Sequence, residues 1–287
     1  MVETPIIGIE NELLVDGLSD SQTYLREHFK GFVDNLEMDY WGDFGCKKVR
    51  FSNGGVFYID GSAPEVTSAP FHLEPGSVTK VANNLFLGTN DVLNAFRKNG
   101  FELVGYSAHY NFTFPHIKEK DNETMKILAQ SGINPVTQLF LENRESKGVM
   151  FRYRSGRRLE ICGDYLTKLD DVICANAFQA ALLKRVDELY KGGKSEDDLV
   201  ALLRYRLSGE VQRTGTRSGY ILKTPEVIKG GRDGKLVVKD LREDRTIELT
   251  VQDLLDYYKT LLDDSVLSNS EKEILHSSIE GKRLIPI

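Results

Sequence analysis

The stretch CKKVRFSNGGVFYIDGSAPEVTSAP, Cys46 to Pro70, decides how the chain is read. KVRF and VFYID alternate apolar and polar side chains. Between them, Asn53-Gly54 is the pair favoured in a two-residue turn needing positive φ at both positions, so the segment reads as a hairpin. Its second strand ends on Asp60, and an expected turn from Gly61 to Pro64 returns a further carboxylate, Glu65. A surface hairpin has no need of two carboxylates so placed, whereas a metal–phosphate site does.

Outward from this hairpin the same signals recur. Residues 5–15 read as a strand, and 19–37 as an amphipathic helix opened by Ser19 or Asp20, with Leu25, Phe29, Phe32 and Leu36 on one side. A helix over 75–98, with Pro75 near its start and Gly100 past its end, leads to a strand over 101–114. GVMFRYR and RRLEICG form a second expected hairpin through Ser155-Gly156, followed by a long helix over 167–191. A helix over 195–207, a hairpin of KLVVKD and RTIEL, and helices over 251–263 and 270–279 complete the chain. Hairpins and helices in mixed order, without βαβ alternation, predict an α+β fold around a largely antiparallel sheet. No repeat, low-complexity tract or linker interrupts residues 1–287, so one domain is expected.

Composition bounds the partners. The chain has 287 residues, 40% of them hydrophobic and 28% charged, which is ordinary globular composition and enough for a substantial core. A net charge of -6 and a pI near 5.5 argue against a nucleic-acid or anionic-membrane surface. The three cysteines, Cys46, Cys162 and Cys174, form neither a disulfide framework nor a zinc-ribbon pattern. With no secretory signal at MVETPIIGIENELLV and no apolar run approaching the roughly 18 residues of a membrane span, a cytoplasmic protein is expected.

Strand parity then sorts the polar residues, because alternate side chains share a face. Glu10 and Glu12 fall on one side of IIGIENELLV, and Tyr58 and Asp60 on one side of VFYID. Ser107, His109, Asn111 and Thr113 share a face of YSAHYNFTF, as do Arg158 and Glu160 in RRLEIC. Antiparallel sheets commonly wet one face, but usually with lysine, threonine and mixed charge. Here the carboxylates dominate, and clustered carboxylates repel unless cations lie between them. Oxygen ligands with open positions suit Mg²⁺ and phosphate. Arg152, Arg154, Arg157 and Arg158 offer guanidinium groups that match phosphate oxygens.

Other features carry less. His28, His72, His116 and His276 lack metal-ligand spacing, Gly192 opens a GGKS without the rest of a P-loop, and Cys162 reads as a small buried filler. RTGTRSG, Arg213 to Gly219, is a basic glycine-broken loop able to close over phosphate or merely to connect.

GIENE, NGGVFYIDGSAPEVTSAP, AHYNF and RRLEICGDYLTKLDDV resemble, in order and character, motifs of the Pup ligase and depupylase family within the glutamine-synthetase-like carboxylate–amine ligases. The resemblance covers scattered motifs over roughly the first 175 residues. It departs in three ways: the chain is shorter than typical Pup ligases, Ala69-Pro70 stands where the family places a further acid, and Glu160 where it places histidine. The resemblance implies a curved, cradle-like sheet backed by helices, with ATP and Mg²⁺ over its polar face. By it, Glu10 is a metal ligand with Glu12 beside it, and Tyr58 and Glu65 lie in the metal shell. Asp60 is then the general base, and His109 and Arg158 face the phosphates, with Tyr58, Asn111 and Arg152 assigned to the same phosphate-binding group. Glu160 takes a metal-ligand role and is expected to be exposed, so that Glu160→Gln leaves the melting temperature nearly unchanged.

The implied reaction phosphorylates a glutamate-type carboxylate and joins it to an amine. The carboxylate partner is the terminal glutamate of a small protein tag or a small molecule. An amidase, a small-metabolite amine ligase and a non-catalytic nucleotide-binding protein stay open as alternatives.

Overall fold

The computed structural model describes residues 4–16, 21–43, 47–117, 127–128, 148–154, 158–207, 211–213, 219–223 and 232–281. The expected caps Ser19 and Asp20, Cys46, the Ser155-Gly156 turn, Arg157 and residues 214–218 of the basic loop lie outside them, as does the side chain of Arg154.

The hydrophobic alternation resolves into a sheet of strands β1 (Ile6–Val15), β2 (Tyr40–Asp43), β3 (Lys48–Phe51), β4 (Val56–Asp60), β5 (Ala63–Thr67), β6 (Phe71–His72), β7 (Leu103–Thr113), β8 (Gly148–Arg154), β9 (Arg158–Asp164), β11 (Val211–Arg213) and β12 (Gly219–Lys223). Their order is β11-β12-β8-β9-β7-β1-β5-β4-β3-β2, with β6 also on β1. Every pairing is antiparallel. A smaller sheet joins β10 (Tyr205–Leu207), β13 (Lys235–Asp240) and β14 (Arg245–Thr250). The expected helix over 195–207 therefore stops early. It spans Glu196–Leu203, and Arg204, at φ 44, turns the chain into β10.

Three long helices cover the apolar face of the large sheet: α1 (Ser21–Asp34), α2 (Ser77–Lys98) and α3 (Leu169–Lys191). Ile9, Tyr110, Ile161 and Phe151 face one another across β1, β7, β9 and β8, and all are buried. Phe29 of α1 stacks on Phe57 of β4 at 5.4 Å, and Phe32 stacks on Phe96 of α2 at 4.0 Å. Asn11, the one polar residue on the apolar side of β1, donates to Thr89 Oγ1 of α2 at 3.1 Å. Gly88, one residue earlier, lets the helix approach closely, since a Cβ there would lie 3.0 Å from the Phe51 ring.

The C-terminal segment belongs to the same apolar cluster. It contains α4 (Glu196–Leu203), α5 (Val251–Lys259) and α6 (Asn269–Ile279), and α6 packs on α3. Glu271 of α6 accepts from the amides of Gly76 and Thr79, capping the N-terminus of α2, and from Ser268 at its own N-terminus. Among the described residues no helix is long and apolar enough to cross a membrane.

The turns differ from the simplest expectation. Gly54 N bonds to Phe51 O and Phe51 N to Gly55 O, and only Gly54 of the pair has positive φ, at 88°. The β3–β4 connection is thus a three-residue loop ending in a left-handed glycine bulge, not a two-residue turn. Asn84 of α2 explains its stability: the side chain donates to Asn53 O and accepts from Ala69 N. The β4–β5 turn is tighter than expected, since Asp60 pairs with Ala63 and leaves only Gly61, at φ 57, and Ser62 between them.

Candidate active site

Register brings the predicted polar residues into rows across the sheet. Lys48, Tyr58, Glu65, Glu12, Ser107 and Asp164 stand opposite one another in succession from β3 to β9. In the next row Thr67, Glu10, His109 and Cys162 are opposed, and in the next Gly8, Asn111, Glu160 and Arg152. A fourth row opposes Ile6, Thr113 and Arg158. Neighbours in such rows have Cβ atoms about 4.5–5.5 Å apart, so their side chains must interact.

The centre is an acidic cluster around His109. Tyr58 Oη donates to Glu10 Oε1, and Ser107 Oγ donates to Glu12 Oε2. His109 Nδ1 lies 3.5 Å from Glu10 Oε2 and 3.6 Å from Glu160 Oε1, while Nε2 lies 3.5 Å from Glu12 Oε2. Burial opposes charge on Glu10, but hydrogen bonding to His109, Tyr58 and Glu65 outweighs it and holds the carboxyl at about 2. Glu12 is lowered in the same way, its burial offset by His109 and Ser107. Glu65 goes the other way: burial, with Glu10 and Glu12 adjacent, pushes it up to about 8. Burial disfavours a charged His109, yet Cys162, Glu10 and Glu12 raise its pKa well above the ordinary imidazole value. Burial and the Glu10 charge raise Tyr58, which stays a donor.

Beside the cluster lies a cavity of about 350 Å³ whose floor includes Gly8, Thr67, Ser68, Asn111 and Thr113. Glu10 and Tyr58 form its acidic side, and Lys48 and Arg158 also line it. Thr67, Ser68 and Pro70, which line it, lie where the strand facing β1 breaks between β5 and β6. Ser68 there replaces regular pairing with β1: its amide donates to Ile9 O, and its hydroxyl accepts from Ile9 N.

Glu10, Glu12, Glu65, Tyr58 and His109 converge, and Asn111 and Arg158 line the adjoining cavity. Asp60 stands apart, exposed at the hairpin tip two residues beyond Tyr58 on the same face. Arg152 is buried and donates through Nε to Glu160 Oε2. The expectation of an exposed Glu160 is overturned, since its relative exposure is 0%. Its pairing with Arg152 across β8 and β9 is what allows a carboxylate to be buried there. Lys48, Thr67 and Ser68 were missed. Lys48 was legible by parity as the partner of Tyr58, but Ser68 depends on the strand break.

The carboxylate oxygens of Glu10, Glu12 and Glu65, brought together across β1 and β5, form an oxygen donor set of the kind hard divalent cations select. No family model matches the chain, and no curated protein matches it. Among solved structures it is similar to the ligase PafA, in a crystal structure of the complex between the prokaryotic ubiquitin-like protein Pup and that ligase. The TM-score is 0.51 at 13% identity, with 97% of this chain and 65% of that chain covered. The likeness is one of fold, and this chain spans less than two thirds of PafA's length.

Proposed function

We propose that the protein is an ATP- and Mg²⁺-dependent carboxylate–amine ligase, with residues 1–287 forming one catalytic domain. The observation that carries this reading is the convergence of Glu10, Glu12 and Glu65 beside a cavity lined by Lys48 and Arg158. The fold likeness to PafA supports it. Glu10, Glu12 and Glu65 would hold Mg²⁺, with Tyr58 fixing Glu10; the ion would neutralise phosphate oxygens during transfer.

A substrate carboxylate oxygen attacks the γ-phosphorus of ATP, releasing ADP and leaving an acyl phosphate. A neutral amine then attacks the acyl carbon, inorganic phosphate leaves, and the amine proton passes to Asp60. Lys48 and Arg158 oppose the negative charge of the phosphates, and Asn111 orients the bound group. The carboxylate is read as a glutamate side chain, at the end of a protein tag or in a small molecule.

Single-turnover product formation from ATP, a glutamate-type carboxylate and candidate amines tests the reading, beside an assay for amine release from the matching amide. Asp60→Asn should fold and bind ATP normally yet lose roughly 10²–10⁴-fold in turnover. Wild-type turnover in that variant would remove Asp60 as the base. Product in the release assay alone would replace ligase with amidase.

A further inference from the structure

We propose that the amine joined in this reaction carries an extended apolar body, and that Leu14 and Val104 receive that body beside Asp60. The inference deepens the ligase reading and rests on it for the amine's role as substrate. Its basis is a row of the sheet that breaks the polar pattern. Across β1 and β5, Glu10 faces Thr67 and Glu12 faces Glu65. One alternate position further along the same face stand Leu14 on β1 and Ala63 on β5. Ala63 is opposite Asp60 of β4, and Leu14 is opposite Val104 of β7. The row therefore runs from a carboxylate, Asp60, through Ala63 to Leu14 and Val104.

Single exposed apolar side chains are ordinary on a protein surface. Leu14 and Val104 differ in being direct cross-strand neighbours, 37% and 47% exposed, on a face whose two preceding rows on β1 and β7 carry Glu12 with Ser107 and Glu10 with His109. The bulge at Tyr106 is what puts Val104 there. Unbroken alternation from Ser107 would bring Gly105 and Leu103 to the polar face and send Val104 into the core. With the bulge, Leu14 meets Val104, while Leu103 is buried opposite Val15. Bulges are over-represented beside active sites, where they re-aim a side chain. Here the re-aimed side chain is apolar, and Tyr106 is left exposed at the same end of the ribbon.

Charge then selects which substrate uses this row. The nucleotide and the carboxylate are anionic and belong with the cationic side chains of the cavity, where Arg158 lies at the far end of the face beside Thr113. An amine matches Asp60 with its nitrogen and the apolar row with its carbon chain. Ammonia or a small polar amine would leave Leu14 and Val104 in water. From β4 to β1 is two strand spacings, about 9–10 Å, so an alkyl or arylalkyl chain of that reach sets its nitrogen at Asp60 and its far end over Leu14 and Val104.

The probe is a series of n-alkylamines from butylamine to octylamine, titrated calorimetrically into the full chain without nucleotide, so that binding is read independently of turnover. Affinity should rise roughly twofold per methylene, about half the effect of full burial, because one side of the chain stays in water. Leu14→Thr/Val104→Thr, which keeps strand-compatible residues at exposed positions, should flatten that dependence, and Asp60→Asn should weaken binding of every amine. Leu87→Thr, at an exposed apolar position on α2 behind the sheet, should keep the wild-type dependence. Affinity indifferent to chain length, or a length dependence that survives in the double variant, would overturn the proposal. So would self-association of wild type that the double variant abolishes, which would give the patch to a second copy of the chain. Hydroxamate formation by wild type from hydroxylamine, Mg²⁺–ATP and a glutamate-terminated peptide reports the acyl phosphate without any alkyl chain, and so separates failure of the ligase reading from failure of this one.

Discussion

Glu160 illustrates how residue-scale chemistry departs from parity. The alternation in RRLEIC places it on the polar face with Arg158, and the register agrees. Parity says nothing about depth, however, and the hairpin expected of these two strands does not by itself fix the register that puts Arg152 opposite Glu160. The pair is almost wholly buried, so removing one charge leaves the other uncompensated. Glu160→Gln should therefore destabilise the fold by about 3 kcal/mol or more in denaturant unfolding. An unchanged midpoint would mean that the pair contributes nothing to stability. Glu10, Glu12, His109 and Tyr58 were legible because each lies in a strand with clean period-two alternation. The split between a low Glu10 and a high Glu65 was not, since it arises only when β1 and β5 bring the two carboxylates together.

At the scale of elements, long alternating strands and helices with clear apolar sides were readable, and short or interrupted strands were not. β5 carries Pro64, normally a mark against a strand. It is tolerated because pairing of β5 with β1 runs only from Glu65 to Thr67, so the missing N–H falls beyond that ladder. On β7 a register shift opposite Glu12 and Leu13 leaves Tyr106 bulged and 59% exposed. The bulge flips parity, so that Leu103 is buried although it matches Ser107 in spacing.

The small sheet is tied to α4 by Asp240, which is fully buried and accepts from Arg204 Nη2 at 2.7 Å and from the Arg242 amide at 3.0 Å. Arg204 holds the Asp240 carboxyl below its ordinary value. Its folded pKa thus lies below the unfolded value of about 3.9, and the contribution is complete above that value and lost as pH falls through the folded pKa. The stability difference between wild type and Asp240→Asn should be constant near neutral pH and shrink below about pH 4. A difference that grows on acidification would contradict the pairing.

For the whole molecule, one apolar cluster runs from β1 to α6, and Glu271 joins the two ends by capping α2 from α6. The α+β class and the antiparallel sheet were readable from hairpins alone, but the docking of the C-terminal helices was not, because no local pattern announces a cap supplied from 195 residues away. That packing fixes the helices behind the sheet and leaves the polar face to β1, β4, β5, β7 and β9. The central claim is that this face binds nucleotide through a cation held by carboxylates. Calorimetric titration of ATP into wild type and Glu10→Ala, each with Mg²⁺ and with a chelator, tests it most directly. Wild type should bind ATP only with Mg²⁺, and Glu10→Ala should weaken that binding at least tenfold, about 1.4 kcal/mol, with its fold intact by circular dichroism. Equal affinity in the two proteins, or binding indifferent to Mg²⁺, would contradict it.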